Sequence, residues 1–229
     1  MIKDGVAEVR AELIRKLEAG EFVTDKTGVK CVEIINAAFI ADEPTVFGSL
    51  NEDWSKRELE WYKSESLNVN DIPGQCPVIW KSVADKDGLI NSNYGWCIWS
   101  EDNGNQYQHC INELIRNRDS RRATMIYIRP EMQVDYNKNG MSDFMCTYSA
   151  QLFIRNNKLD YCVYMRSNDA IFGYKGDKFW HDHVWNESLK ELRQHYSELE
   201  LGTMFWNAGS FHVYSRHFNL IEEHVKLRK

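Results

Sequence analysis

The run Phe144-Met145-Cys146-Thr147-Tyr148-Ser149-Ala150-Gln151-Leu152-Phe153-Ile154-Arg155, followed by Asn156-Asn157-Lys158 and then Leu159-Asp160-Tyr161-Cys162-Val163-Tyr164-Met165-Arg166, decides the fold class. Both flanks are rich in apolar, β-branched and aromatic residues, and the interruption has turn chemistry, so they read as the two strands of a hairpin. A three-residue loop at 156–158 sets Arg155 opposite Leu159, Tyr148 opposite Arg166 and Cys146 opposite Asn168. Cys146 and Arg166 are then diagonal neighbours on one face, roughly 7 Å apart at the backbone. A guanidinium at that distance favours the thiolate, the reactive form of cysteine, or holds a phosphate beside it.

Outward from the hairpin, strands are expected over Ala123 to Arg129 and Met204 to Tyr214, with Asn139-Gly140 as a turn signal. Residues 5–19 read as a helix with Val9, Leu13 and Leu17 on one face and Gly20 as its stop. Asp53 to Lys63 reads as a second helix, in which Glu58 lies on the side that bears Trp54, Trp61 and Tyr62. In Gln106 to Asn117 the residues Tyr107, Cys110, Ile111, Leu114 and Ile115 follow helical core spacing. A long helix over Lys178 to Glu200 aligns Trp185, Leu189, Leu192 and Tyr196. The fold class is therefore α+β, a mixed, largely antiparallel sheet packed by helices.

With 43% hydrophobic residues in 229, the chain can fill one core, and no Gly/Ser linker marks a boundary, so a single domain over 1–229 is expected. A net charge of −6 argues against a sequence-independent grip on nucleic acid. The charged N-terminal segment and the lack of a long apolar run point to a cytoplasmic protein rather than an exported or membrane one. Cys31, Cys76, Cys97, Cys110, Cys146 and Cys162 show neither zinc spacing nor a disulfide pattern. His181 and His183 sit two apart on a helix, about 200° around the axis, so no metal site is expected.

A cysteine in a strand is ordinarily a buried apolar residue, so Cys146 carries a chemical reading only in company. Ser120-Arg121-Arg122 places two cations directly before a strand, and Asp25-Lys26-Thr27-Gly28 places one in a turn. His212 and Tyr214 alternate on the last strand, and Asp169 and Asp177 bracket a glycine-containing turn after Arg166. Each alone reads as an ordinary surface or turn residue. Asp177 in particular reads as a helix N-cap before Lys178.

Taken in order, Asp119-Ser120-Arg121-Arg122, a strand, a cysteine, Met165-Arg166-Ser167-Asn168-Asp169, Phe172-Gly173 and His212-Val213-Tyr214 resemble the thymidylate synthase family. Asp25-Lys26-Thr27-Gly28-Val29-Lys30, Arg57-Glu58-Leu59-Glu60-Trp61-Tyr62-Lys63, Asn91-Ser92-Asn93-Tyr94-Gly95-Trp96 and Gly140-Met141-Ser142-Asp143-Phe144-Met145-Cys146-Thr147 are similar to the branch that hydroxymethylates dCMP. The resemblance runs from about Asp25 to Phe218. It implies a thymidylate-synthase-like fold and a homodimer with shared active sites. Arg121 and Arg122 would reach across to the partner's bound phosphate, joining Lys26, Arg166 and Ser167, with Asn168 also at the nucleotide. His212 and Tyr214 would bind the deoxyribose hydroxyl. Trp80, Asp169 and Gly173 would lie near the folate co-substrate, 5,10-methylenetetrahydrofolate, and Glu58 and Tyr94 would organise protons and water beside the base.

The chemistry implied starts with addition of the Cys146 thiolate to C6 of the pyrimidine, which makes C5 a carbon nucleophile toward the one-carbon unit. Loss of tetrahydrofolate leaves an exocyclic methylene, to which water adds to give hydroxymethyl and hydride would add to give methyl. Asp177 stands where members acting on dUMP carry asparagine. An aspartate accepts from the cytosine N4 amino group and, when protonated, donates to N3, which favours dCMP. The ending His224-Val225-Lys226-Leu227-Arg228-Lys229 is basic rather than apolar, a poor seal against water. Met145 and Thr147 replace a proline and a histidine beside the cysteine, and Met165 replaces a glutamine, further departures from the synthase pattern. The partners implied are dCMP, folate, a second copy of the chain and other enzymes of nucleotide synthesis. Two alternatives stay open: the same chemistry on dUMP, as hydroxymethylase or thymidylate synthase, and a catalytically silent family member that binds nucleotide.

Overall fold

The computed structural model describes residues 4–227. Its six strands are β1 (Val23–Thr24), β2 (Lys30–Ile40), β3 (Thr124–Ile126), β4 (Thr147–Arg155), β5 (Lys158–Asp169) and β6 (Glu200–Tyr214). They form one sheet in the order β1-β2-β6-β5-β4-β3, antiparallel throughout except between β5 and β6. The helices are α1 (Val6–Glu18), α2 (Glu52–Lys63), α3 (Val78–Val83), α4 (Tyr94–Trp99), α5 (Gln106–Arg116), α6 (Met132–Asp135), α7 (Gly173–Leu192) and α8 (Phe218–Lys226). Helix α7 packs on β5 and, with α5 and the sheet, buries Leu114, Trp180, Val184 and Leu192. None of the described helices is long and apolar enough to cross a membrane.

The hairpin at the centre departs from the expected register in two places. Asn156 and Asn157 both take left-handed φ, 49° and 59°, and Arg155 pairs with Lys158, so the loop has two residues of the type I′ kind. The register also shifts between Thr147, which pairs with Met165, and Ser149, which pairs with Tyr164, leaving Tyr148 as a bulge. The shorter turn and the extra residue each move the pairing by one in the same direction. Cys146 therefore lies opposite Arg166 rather than Asn168, and the Arg166 N–H donates to the Cys146 carbonyl at 2.8 Å. One shift alone would have turned the thiol and the guanidinium to opposite faces.

The bulge is part of a crease that crosses four strands. On β4 the buried positions are Ala150, Leu152 and Ile154, but Thr147 beyond the bulge. On β5 they are Tyr161, Val163 and Met165, then Asn168; on β6 they are Met204, Trp206 and Ala208, then Phe211, His212 and Val213. On β2 they are Ala37 and Phe39 on one side and Val32 on the other. The inward parity flips on β4 at Tyr148, on β5 at Arg166 and on β6 at Gly209, which lies beside Arg166 and opposite Asn36 of β2, although Cys31 and His212 are also buried beyond the flip. Asn36 takes the left-handed conformation there, with φ 54°. Gly209 meets the strand beside it so closely that a Cβ would lie 2.8 Å from the Arg166 carbonyl oxygen. The flip leaves Arg166 exposed.

The other sequence expectations were shifted rather than lost. β2 was not anticipated, because the left-handed Asn36 interrupts its alternation. β3 covers only 124–126 of the expected 123–129, and β6 begins at Glu200 rather than Met204. Helix α7 starts five residues earlier than expected and ends at Leu192 instead of Glu200, which places Asp177 inside its first turns and not at an N-cap. On α7 His181 is fully buried with Nδ1 3.0 Å from the Tyr161 hydroxyl, while His183 stacks edge-on to Trp99. Arg228 and Lys229 of the basic ending lie outside the described residues.

Candidate active site

Two loops fix the frame around Cys146. Asp143, three residues ahead of it, accepts from the backbone N–H groups of Asn91 (2.7 Å) and Ser92 (2.8 Å) and from the Ser92 hydroxyl (2.7 Å). Asn93 then caps α4 through the Trp96 N–H and donates to the Trp61 and Ser66 carbonyls, tying α4 to α2. The crossing is tight: a Cβ on Gly95 would lie 1.8 Å from the Tyr62 carbonyl oxygen. Only glycine lets the start of α4 sit there, with the Tyr94 ring stacked on Tyr62 at 5.3 Å. Two motifs distant in sequence, 91–96 and 140–147, are thereby joined by one buried carboxyl.

At the crease, Arg166 Nη2 lies 3.8 Å from Cys146 Sγ, and the guanidinium also donates to the Met145 carbonyl at 2.8 Å and the Phe144 carbonyl at 2.5 Å. Its cation rests over the Phe144 ring, 5.0 Å from the centroid. The pairing brings thiol and cation together, yet the expected thiolate does not follow. Burial pushes the Cys146 thiol up to about 11; Arg166 opposes this, and the carboxyls of Asp177, Asp143 and Asp169 add to it. At neutral pH the ligand-free site holds a thiol, because an exposed guanidinium shared with two carbonyls is outweighed by desolvation.

Asp177 and Glu58 face each other from α7 and α2. Burial pushes Asp177 up to about 8, with the Glu58 charge as the next cause, against the hydrogen bonds from Tyr94 and Asn168. Burial likewise pushes Glu58 up to about 7, opposed by the Trp80 indole, whose Nε1–H donates to Glu58 Oε1 at 3.0 Å. The Tyr94 hydroxyl lies 3.1 Å from Asp177 Oδ1, and Asn168 Nδ2 donates to Asp177 Oδ2 at 2.7 Å. The direction of the Asn168 amide is set from behind. Trp206 Nε1, which can only donate, lies 3.2 Å from Asn168 Oδ1, so the amide NH2 must point at Asp177. Neither Trp206 nor Asp143 was singled out in the sequence. The Trp206 N–H has meaning only once β6 lies beside β5.

The remaining candidates divide by place. Asp169 Oδ1 accepts from the Ile171 N–H at 2.7 Å and so shapes the turn into α7, where a Cβ on Gly173 would meet Asn168 Nδ2 at 3.2 Å. Ser167 pairs with Ser210, and Asp169 with His212, on the parallel ladder. His212 is 6% exposed, and its ring meets Tyr214 edge-on at 4.7 Å. Lys26 is exposed in the turn between β1 and β2, shaped by Asp25 Oδ1 accepting from the Thr27 and Val29 N–H groups. Arg121 and Arg122 are not with the others. They precede β3 at the far end of β4, where Thr124 pairs with Gln151, roughly 17 Å along the strand from Cys146. Within its own chain Arg122 is held by Glu113 Oε1 at 2.8 and 3.0 Å.

Two departures from the synthase pattern turn out to be one. Thr147 and Met165 are both fully buried and face each other across the ladder, with Thr147 Oγ1 3.1 Å from Met165 Sδ. Where a histidine and a glutamine would bring several polar atoms, this pair brings one hydroxyl and a weak sulfur acceptor.

The thymidylate synthase family model matches residues 12–229. The chain is 54% identical over 226 residues to the deoxycytidylate 5-hydroxymethyltransferase of Enterobacteria phage T4, covering 97% of this chain and 92% of that protein. It is 29% identical over 171 residues to the thymidylate synthase of Bacillus atrophaeus, covering 71% and 70% of the two chains. The solved structure of the thermostable thymidylate synthase A from Bacillus subtilis superimposes with a TM-score of 0.71 over 97% of this chain and 84% of that one, at 20% sequence identity, which speaks to the fold alone. A cysteine and an arginine on facing strands, reached independently through the hairpin, fall inside the matched span, and the chain belongs to the thymidylate synthase family.

Proposed function

We propose that this protein is a deoxycytidylate 5-hydroxymethyltransferase that uses 5,10-methylenetetrahydrofolate and finishes with water. The observation that carries the reading is Asp177, a buried carboxyl whose pKa of about 8 keeps it protonated at neutral pH. A carboxyl protonated on the oxygen beside N3 donates to cytosine N3 and accepts from its N4 amino group, whereas uracil, with an N3–H donor and an O4 acceptor, needs the proton on the other oxygen. Asn168, fixed as a donor by Trp206, cannot accept the acid proton, and with the Tyr94 hydroxyl donating to Oδ1 that proton is left for N3. The 54% identity with the phage T4 enzyme supports the same choice of base.

Cys146 is the nucleophile for C6. Because its thiol is protonated at rest, its proton must pass to solvent water as the base binds, and the Arg166 guanidinium 3.8 Å away favours the sulfur anion as it forms. Asp177, hydrogen-bonded to N3 and N4, takes up the charge that the adduct places on the ring, which makes C5 nucleophilic. Methylenetetrahydrofolate supplies the one-carbon unit. A site for its flat ring is supported by the exposed apolar face of α3, where Val78 (81% exposed) and Ile79 (65%) flank Trp80. Glu58, poised at about 7 and bonded to the Trp80 indole, is placed to exchange protons with water beside C5. Arg166, Ser167 and Lys26 would hold the phosphate, and His212 and Tyr214 the sugar hydroxyl.

The active unit is a homodimer on this reading. Arg121 and Arg122 lie too far from their own Cys146 to touch its ligand, and the strand residues Ile35 (69% exposed), Ile126 (55%) and Tyr148 (40%) leave an apolar face open to a second copy. The test is incubation with methylenetetrahydrofolate and either dCMP or dUMP, followed by product mass. The reading expects dCMP to gain one CH2O unit. Gain of CH2 by dUMP instead, or no product from either nucleotide, overturns it.

A further inference from the structure

Three polar side chains on β2 and β6 line up as a set. Ser210 Oγ lies 2.5 Å from Glu33 Oε1 and 3.1 Å from His212 Nδ1, and Glu33 pairs directly with His212 across the antiparallel ladder. Valence forces the direction of each hydrogen bond. An ionised glutamate only accepts, so the serine gives its single hydroxyl hydrogen to Glu33. Lone pairs are then all that Ser210 can offer to His212, and Nδ1 must carry the imidazole hydrogen. Nε2 of the neutral ring is left with a free lone pair, and no hydrogen bond from the described residues reaches it.

We propose that Glu33 is a positioning residue which, through Ser210, locks His212 in the Nδ1–H tautomer, so that Nε2 acts only as an acceptor and selects nucleotides whose sugar presents a hydroxyl donor. The proposal rests on the reading of His212 as the sugar ligand and adds a reason for its selectivity. His212 ends a run in which Asp169 pairs with it from β5 and Tyr214 meets it edge-on, so the ring cannot readily turn to present the other nitrogen. A sugar lacking the hydroxyl would leave Nε2 desolvated without a partner.

The test begins with the full-length protein labelled with 15N in its imidazoles, read by long-range proton–nitrogen correlation near pH 8, where the ring is neutral. Wild type is expected to show a pyridine-type Nε2 at His212. In Glu33→Gln the amide can donate to Ser210, freeing the hydroxyl hydrogen for Nδ1, and the Nε2–H tautomer should grow. Ser210→Ala, which removes the relay with less change to charge, should give a mixture. Binding of dCMP should weaken roughly five- to tenfold in both variants, the worth of one hydrogen bond, while 2′,3′-dideoxycytidine monophosphate binds as it does to wild type. A wild-type ring already in the Nε2–H form, or a tautomer unmoved in both variants, overturns the proposal whatever the substrate. A tautomer that moves while both nucleotides are affected alike overturns His212 as the sugar ligand, and with it the selection.

Discussion

At the scale of single residues, Asp177, as the proposed base selector, would couple substrate choice to proton uptake. Its carboxyl moves from an ordinary 3.8 up to about 8 in the folded protein, and Glu58 moves from 4.5 up to about 7. A raised carboxyl binds its proton more tightly folded than unfolded, so its contribution to stability is complete below the ordinary value and is lost as pH rises through the folded one. Denaturant unfolding is therefore expected to show wild type losing stability between about pH 4 and 8, and Asp177→Asn losing markedly less. The same substitution should shift relative kcat/KM from dCMP towards dUMP, and an unmoved ratio of turnover would rule out Asp177 as the base selector. The wild-type rate on dCMP should fall above about pH 8 as the acid proton is lost. Trp206→Phe keeps the buried ring but frees the Asn168 amide to turn its oxygen to Asp177 and take that proton. We expect kcat/KM for dCMP to drop about tenfold, with that for dUMP changed far less and stability lower by about 1–2 kcal/mol. Equal losses on both nucleotides would mean that Trp206 acts through packing alone.

At the scale of elements, the crease decides which side chains meet, and it explains what could and could not be read from the chain. The hairpin and the helix at Gln106 were legible because local alternation and turn chemistry carry them, whereas the thiol and guanidinium share a face only because the shorter turn and the bulge shift the expected register twice in one direction. The flip of inward parity was not legible. Each strand shows it only as a one-residue slip, and its meaning emerges when Asn36, Gly209 and Arg166 are seen to lie side by side, with the Tyr148 bulge next to them. The start of α7 was hidden for a related reason. Gly173 and Gly176 read as a turn, whereas Gly173 begins a helix pressed against Asn168, and this carries Asp177 from a surface cap to the base of the site. The roles of Arg121, Arg122, Lys26 and the folate residues came from family resemblance, since surface cations carry no local signal of their ligand. The crease makes Gly209 the position to test. An added Cβ 2.8 Å from the Arg166 carbonyl forces the two strands apart, so Gly209→Ala should cost about 1–3 kcal/mol and lower the Tm by roughly 2–12 °C. Because Arg166 holds the sulfur through that same backbone, turnover of the folded variant should fall as well, while a surface substitution such as Lys190→Ala should change neither.

At the scale of the whole molecule, the single chain brings together the proposed nucleophile, base selector and sugar ligands but leaves its paired arginines further along β4, beside Gln151. Arg122 is occupied there by Glu113, an ion pair at an exposed guanidinium that water screens and that a dianionic phosphate can outcompete. Arginines remote from their own Cys146 and an apolar sheet face open to solvent are both accounted for by the proposed two-fold pairing, in which each chain would lend its arginines to the other. The arrangement makes a prediction that no monomeric mechanism shares. Cys146→Ser lacks its nucleophile, and Arg121→Ala/Arg122→Ala lacks the cations it would lend, so each protein alone should turn over dCMP poorly. When the two are unfolded, mixed in equal amounts and refolded, half of the dimers pair one chain of each kind. In those dimers one site combines an intact Cys146 with arginines from the Cys146→Ser chain, while the other site lacks both. Turnover should therefore recover to roughly a quarter of wild type. Activity that stays at the level of the separate variants, with the mixture shown by sizing to be dimeric, would mean that the arginines serve some purpose other than a shared phosphate site.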